Sequence, residues 1–308
     1  MSLTHTKSSA GRDRVALVTG GTGFVGSHLL KRLEKDGWEV HAVVQASSLR
    51  KAEGQGGAII WHPHDGSTAG MLAILQAVQP RVVFHLASLF LAQHQPEDVE
   101  SLIASNILFG TQLLEAMAQC GVRYLVNTGT SWQNYENEDY NPVCLYAATK
   151  QAFEDLARYY VEAEGLQVIT LRLFDTYGPD DPRPKLLNLL KSSLISGENL
   201  ALSPGEQMID LVYIDDVVEA FICASRLFVD QQHTFSEVFA VTSGKPISLR
   251  KLVDVINGVV GNKLHVSWGA RPYRPREVMI PWSDGKILPG WTPQVELRSG
   301  LMEIFEGL

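Results

Sequence analysis

VALVTGGTGFVGSHLLK, residues 15–31, is the stretch from which the fold is read. Its first four residues are apolar and of strand character. Gly20, Gly23 and Gly26 follow at three-residue spacing, and Val25, Leu29, Leu30 and Leu33 then fall on one face of a helix. Strand, glycine turn and helix together make a phosphate-binding unit. The glycines let the backbone approach a pyrophosphate, and the helix start offers free N–H groups and a positive dipole end. The spacing G-x-x-G-x-x-G differs from the G-x-G-x-x-G of ordinary dehydrogenases. Three glycines alone would suit a turn that merely packs a helix on a sheet, but the strand-turn-helix context points to a dinucleotide.

Upstream, residues 1–13 (MSLTHTKSSAGRD) are polar and lack an apolar core, so they read as a mobile tail and not as a signal peptide. Downstream, Asp36-Gly37 stops the helix and 38–44 reads as a second strand. An acid at the end of that strand would hold the ribose hydroxyls of NAD, whereas a nearby arginine suits the 2′-phosphate of NADP. Here the strand runs out through Gln45 into hydroxyls, Arg50 and Lys51, with no acid before Glu53. This leans towards NADP(H), against the plainer reading of Arg50 and Lys51 as a solvated helix start. Residues 58–61 suggest a third strand. His62 and His64 lack a third ligand at sensible spacing, so no metal is expected. Asp65 is placed to accept from an adenine amino group, or to form an Asx turn before Gly66. A helix over 68–79, a strand over 81–86, a helix over 97–119 containing Asn106, and a strand over 123–128 follow. Such alternation predicts an α/β Rossmann fold, a doubly wound parallel sheet with right-handed crossovers. Ligand atoms belong beyond the strand C-terminal ends, where Gly20–Gly26, Ala87, Thr128–Ser131 and the segment after Leu173 converge.

The chain's 308 residues are 45% hydrophobic and 19% charged, which allows a sizeable core. A net charge of −8 argues against a nucleic-acid or acidic-membrane surface, though not against an anionic small ligand. Cys120, Cys144 and Cys223 are odd in number and widely spaced, which fits neither a disulfide framework nor a metal site and suggests a reducing, cytoplasmic setting. No apolar run reaches the ~18 residues needed to span a bilayer.

The chemistry lies further on. The fifth strand runs into Thr130 and Ser131, and YAATK (146–150) then opens a helical run. Tyr146 and Lys150, four apart, share a helix face. An ammonium near a phenol favours the phenolate and lowers its pKa. Such a tyrosine can pass a proton to or from a carbinol oxygen, with Thr130 or Ser131 bonding the same oxygen. Beside a nicotinamide this is a hydride-transfer site. A Tyr-x-x-x-Lys pair arises readily by chance, and its position after a hydroxyl-rich strand end is what gives it weight.

With these motifs the sequence resembles the extended short-chain dehydrogenase/reductase family of NAD-dependent sugar-nucleotide epimerases, dehydratases and ketoreductases. The resemblance is carried by TGGTGFVG (19–26), FHLAS (84–88), NILFGTQLLEA (106–116), YAATK (146–150), LRLFDTYGP (171–179), YIDDVVEA (213–220), RPREV (274–278) and GWTP (290–293). Within the family, LRLFDTYGPDDPRP looks most like the 4-ketoreductases of the CDP-abequose and CDP-paratose synthase type. The resemblance implies Tyr146 as acid/base, Lys150 as its electrostatic partner and a ribose ligand, and Thr130, or Ser131, as the catalytic hydroxyl. It implies Gly20, Gly23, Phe24 and Val25 at the pyrophosphate, Asp65 at the adenine, and Leu86 and Ala87 at the cofactor's inner half. Arg274 resembles the arginine that grips the substrate diphosphate, unless it is one surface arginine among Arg271, Arg274 and Arg276. Arg183, in a proline-rich loop, is a further substrate-binding candidate.

Two departures shape the expectation. The family's 4,6-dehydratases place Asp-Glu after the catalytic hydroxyl, whereas this chain has Ser131-Trp132 or Trp132-Gln133, so a 4,6-dehydratase is disfavoured. Many epimerases have Asn where this chain has Asp175, and no role is carried onto it. Asp215-Asp216 reads as a helix N-cap pair. The expected organisation is an NAD(P)-binding domain of 14–174 plus 206–239 and a small substrate-binding cap of 175–205 plus 240–308. The expected activity is NAD(P)-dependent 4-keto reduction of a nucleotide sugar. A 4-epimerase holding NAD tightly is one alternative, and a non-catalytic dinucleotide sensor is another. A homodimer through helices 97–119 and 146–164 follows from the resemblance.

Overall fold

The computed structural model describes residues 14–54, 56–228 and 235–307; the tail read over 1–13 and the side chain of Lys51 lie outside the described residues. The strand read over 15–18 is β1 (Val15–Thr19), buried throughout. Helix α1 (Phe24–Lys35) follows the glycine turn and buries Phe24, Leu29, Leu30 and Leu33, with Phe24 rather than Val25 on the inner face. The sheet continues with β2 (Glu39–Gln45), β3 (Ile60–His64), β4 (Val82–His85), β5 (Tyr124–Thr130) and β6 (Gln167–Leu173), and ends with the strand Phe235–Val241. All seven strands are parallel, in the spatial order Phe235–Val241, β6, β5, β4, β1, β2, β3. The order reverses beside β1, which pairs with β2 on one side and β4 on the other. That is the doubly wound arrangement, whose crevice opens at the carboxyl ends of the strands flanking the reversal.

The helices α2 (Leu49–Glu53), α3 (Thr68–Val78), α4 (Val99–Ile103), α5 (Phe109–Cys120) and α6 (Leu145–Glu164) complete the crossovers. Strand β3 begins two residues later than the sequence suggested and contains Pro63. It lies at the sheet edge, where a missing N–H breaks no ladder bond. The helix expected over 97–119 is interrupted by a π-helical segment, Ala104–Leu108, which turns Asn106 into the interior.

Beyond β6 the chain makes short pairings: Asp175–Tyr177 with Leu211–Tyr213, Met208–Ile209 with Ile247–Ser248, and Leu200–Ala201 with Val266–Ser267. Helices α7 (Leu186–Ser196), α8 (Ile214–Arg226), α9 (Leu249–Val260) and α10 (Leu297–Phe305) accompany them, and α8 packs on α1. Asp216 is not the helix cap that the sequence suggested. It is buried in the first turn of α8, and its carboxylate accepts the N–H groups of Gln294 (2.9 Å) and Val295 (3.0 Å). The Asp216 carbonyl accepts the Trp291 indole N–H at 2.9 Å, so the GWTP segment is fastened to the α8 start.

Candidate active site

The glycine turn is shaped by backbone contact. Gly20 has φ +75°, and a Cβ there would lie 2.6 Å from the Ala87 nitrogen. A Cβ on Gly26 would lie 2.1 Å from the Gly20 carbonyl oxygen. The turn therefore presses against the end of β4 and against the first turn of α1. No side chain caps α1, and its first turn carries no acid. These features fit a dinucleotide's pyrophosphate, which needs bare backbone, free N–H groups and no opposing charge. Gly20, Gly23, Phe24, Val25, Gly26, Leu86, Thr130, Ser131, Tyr146 and Lys150 line one cleft of about 210 Å³, so most of the sequence-derived candidates meet there. Ala87 touches it through Gly20.

Tyr146 and Lys150 stand one turn apart near the start of α6, both buried. The sequence led us to expect a phenol pulled down by the ammonium. Instead, burial dominates and pushes the Tyr146 phenol well above its ordinary value, opposed by a hydrogen bond with Ser88. Burial also lowers the Lys150 ammonium to about 8, with the charge of Glu154 acting in the opposite direction. The correction is physical: in a buried pair, loss of water penalises both charged forms at once.

Ser88 carried no role in the sequence reading, and its hydroxyl donates to Asn106 Oδ1 at 3.1 Å. That oxygen also accepts the Leu89 N–H (2.7 Å), and Asn106 Nδ2 donates to the Leu89 carbonyl (3.0 Å) and Thr149 Oγ1 (2.9 Å). Asn106 thus ties the loop after β4 to the helix bearing Tyr146. The π-helical turn presents it, and 3.6-residue periodicity had no means of revealing that irregularity.

Thr130 and Ser131 sit where β5 ends. Thr130 Oγ1 accepts the Trp132 N–H at 3.3 Å, and Gln133 Oε1 accepts the Thr130 N–H at 2.9 Å. Gln133 is fully buried, and its amide donates to Gln151 (2.9 Å) and Glu154 (2.8 Å). Arg172 on β6 completes the set, donating to Glu154 Oε2 and Asn134 Oδ1, each at 2.7 Å. The residue after Trp132 is therefore a structural amide holding Thr130. No carboxylate follows the hydroxyls.

At the β2–β3 end, Gln45, Arg50 and Asp65 are exposed and stand outside the cleft wall. Asp65 Oδ1 accepts from the Ser67 N–H (2.9 Å) and hydroxyl (2.7 Å), which is the Asx turn, and these bonds hold its pKa below the ordinary value. His62 pairs with His41 at 2.8 Å, while His64 bonds the Ser67 carbonyl.

A second cavity of about 420 Å³ adjoins the cleft and shares Phe90, Ser131, Trp132, Phe174, Asp175, Thr176 and Lys185 with it. Arg274 lies on its wall, clamped by Glu277 at 2.9 and 3.0 Å, with its guanidinium 5.5 Å from the Trp132 ring. Arg271 lines the same wall, whereas Arg276 stacks over Tyr135 at 4.4 Å. Arg183 instead faces the cofactor cleft: it holds Asp181 through two 2.7 Å contacts and lies 4.6 Å over the Phe24 ring. Asp175 and Lys185, at the junction, form an ion pair at 3.5 Å.

A cleft at the reversal of a doubly wound sheet, with a glycine turn on one wall and a buried Tyr-Lys pair on another, fits a nicotinamide-dependent enzyme. The chain belongs to the NAD dependent epimerase/dehydratase family, which matches residues 16–236. It is 26% identical to the CDP-abequose synthase of Salmonella muenchen, over 95% of this chain and 97% of that one. The structure is similar to that of Thermotoga maritima UDP-glucose 4-epimerase with UDP-glucose, at a TM-score of 0.83, 25% identity, and coverage of 95% and 97% of the two chains. It is also similar to the UDP-glucose 4-epimerase of Thermus thermophilus in complex with NAD, at a TM-score of 0.77, 26% identity, and coverage of 94% and 97%. Among the described residues no helix is long and apolar enough to cross a membrane.

Proposed function

We propose that the protein reduces the 4-keto group of a nucleoside-diphosphate sugar, with NADPH as the preferred reductant and Tyr146 as the acid/base. The observation that carries this reading is the shared cleft of the glycine turn, Thr130, Ser131, Tyr146 and Lys150, opening onto an arginine-bearing cavity. When bound, the nicotinamide supplies the hydride chemistry. Tyr146 donates the proton to the sugar oxygen, and Thr130 or Ser131 bonds that oxygen and fixes its position. Lys150 supplies positive charge beside the phenol and a ribose ligand. Arg274 meets the diphosphate, exchanging its Glu277 partner for phosphate oxygens.

One feature disfavours a 4,6-dehydratase, and a second supports a reductase. Water elimination needs a carboxylate beyond the hydroxyl, and Trp132 and Gln133 stand there. NADPH is favoured by the Gln45 end of β2 and the exposed Arg50 that follows it, with no acid to hold a ribose diol. Similarity to a CDP-abequose synthase supports a substrate among the 4-keto deoxysugar nucleotides. We further propose a homodimer through α4–α5 and α6, where Val99, Ile103, Leu108 and Tyr159 are exposed, and a cytoplasmic setting suited to three free cysteines.

The test is to denature purified protein and identify released nucleotide by mass spectrometry, then titrate native protein with NADPH and NADH. Little bound nucleotide and tighter NADPH binding are expected. Stoichiometric NAD would overturn the reductase reading in favour of a 4-epimerase that recycles its cofactor.

A further inference from the structure

Asp175 lies where the cofactor cleft and the substrate cavity meet, and the structure shows what accompanies it. It opens the strand Asp175–Tyr177 and is fixed there by its N–H donating to the Asp210 carbonyl at 3.1 Å. Its side chain is 40% exposed and borders both the cofactor cleft and the substrate cavity, so its free surface faces the place where the two meet. Lys185, 29% exposed on the same two walls, holds it at 3.5 Å. Lys185 Nζ also lies 5.1 Å from the Phe90 ring, whose edge packs on Tyr146 at 5.0 Å between centroids. The pair is therefore one aromatic ring away from the phenol.

Its electrostatics reach in the other direction as well. The Arg274 guanidinium is held above its ordinary pKa chiefly by Glu277, and the charge of Asp175 adds to that effect. Asp175 thus belongs to the field of the arginine proposed for the diphosphate. An unpaired carboxylate there would repel the substrate's phosphates. A charge-assisted hydrogen bond to a hydroxyl is stronger than a neutral one.

We propose that Asp175 and Lys185 form a charge-compensated specificity pair: Asp175 accepts a hydrogen bond from a sugar hydroxyl, and Lys185 cancels the charge that would otherwise repel the diphosphate. The inference rests on the nucleotide-sugar reading above and gives Asp175 and Lys185 roles within it.

The test is calorimetric titration of wild type, Lys185→Met, Asp175→Asn and the double variant with CDP, UDP, CDP-glucose and UDP-glucose, alongside a melting curve for each. Baring Asp175 in Lys185→Met should weaken the nucleoside diphosphate that binds wild type by about 30-fold, as loss of one partner of a partly buried charge pair does. Adding Asp175→Asn should restore it to within roughly fivefold of wild type, because the repulsive charge has gone. Asp175→Asn alone should leave the bare diphosphate within about threefold while weakening the sugar nucleotide by about tenfold. Equal losses in Lys185→Met and the double variant would overturn the compensation. Equal effects of Asp175→Asn on bare and glycosylated nucleotides would overturn the hydroxyl contact. A wild type that binds none of the four would overturn the nucleotide-sugar reading and this inference together.

Discussion

The cofactor cleft and the substrate cavity share a wall but are built by opposite means. On the cofactor side the shape comes from main chain: the Gly20 turn against Ala87, and Gly26 against the Gly20 carbonyl. On the substrate side it comes from charge pairs: Lys185 with Asp175, and Arg274 with Glu277. A site made of backbone has no partner that a second substitution can repair. A site made of ion pairs can be broken and rebuilt pair by pair. The arrangement matches the tasks. A pyrophosphate presents the same geometry in every dinucleotide, whereas a sugar nucleotide must be distinguished from its relatives.

The largest effect should come from adding bulk to the backbone side. Gly26→Val drives a side chain into the Gly20 carbonyl, so dinucleotide binding, read by fluorescence titration, should fall by at least ~100-fold, since the displaced turn no longer fits a pyrophosphate. A fully binding variant would break the comparison. A charge pair matters nearly as much on this side. Arg172 and Glu154, 9% and 10% exposed, pair at 2.7 Å behind Thr130. Arg172→Met should cost roughly 3–5 kcal/mol in denaturant unfolding by leaving the buried Glu154 carboxylate without its paired cation. Adding Glu154→Gln should recover a large part of that cost.

A smaller effect of opposite sign is expected at Lys150. Its folded pKa of about 8 lies below the ordinary 10.5. Between these values the unfolded chain binds a proton that the folded chain does not, so stability falls as pH falls from 10.5, and the penalty is complete below about 8. Lys150→Met should therefore stabilise the fold at pH 7 by roughly 3 kcal/mol while abolishing turnover. The gain should fade towards alkaline pH. A variant that is less stable at neutral pH, as judged by melting temperature, would contradict this.

The same contrast explains what the sequence could tell. β1, α1 and the Gly20 turn carry local signals, an apolar run, glycine spacing and a helical period, which the sequence expresses directly even though the turn packs on the distant Ala87. Tyr146 and Lys150 were legible for the same reason, being one turn apart on one helix. The pairings Arg183–Asp181 and Arg274–Glu277 are also local, yet only the arginines stood out in the sequence, and nothing there marked Asp181 and Glu277 as their partners. Asp216 resembled a cap because it begins a helix, and its role appeared only once Gln294 and Val295, nearly eighty residues on, were seen to donate to it. The phenol's direction is not legible locally, because burial, which the whole fold sets, outweighs the neighbouring ammonium.

The central claim is tested most directly by supplying wild type and Tyr146→Phe with NADPH and a CDP-linked 4-keto-6-deoxyhexose, and following the absorbance of the reduced nicotinamide. Wild type should consume one NADPH per sugar reduced, and Tyr146→Phe should turn over at a rate at least ~10³-fold lower, with the fold unchanged. Undiminished turnover in Tyr146→Phe would contradict the proton role. No NADPH or NADH consumption by wild type, with interconversion of C4 epimers in its place, would contradict the reductase.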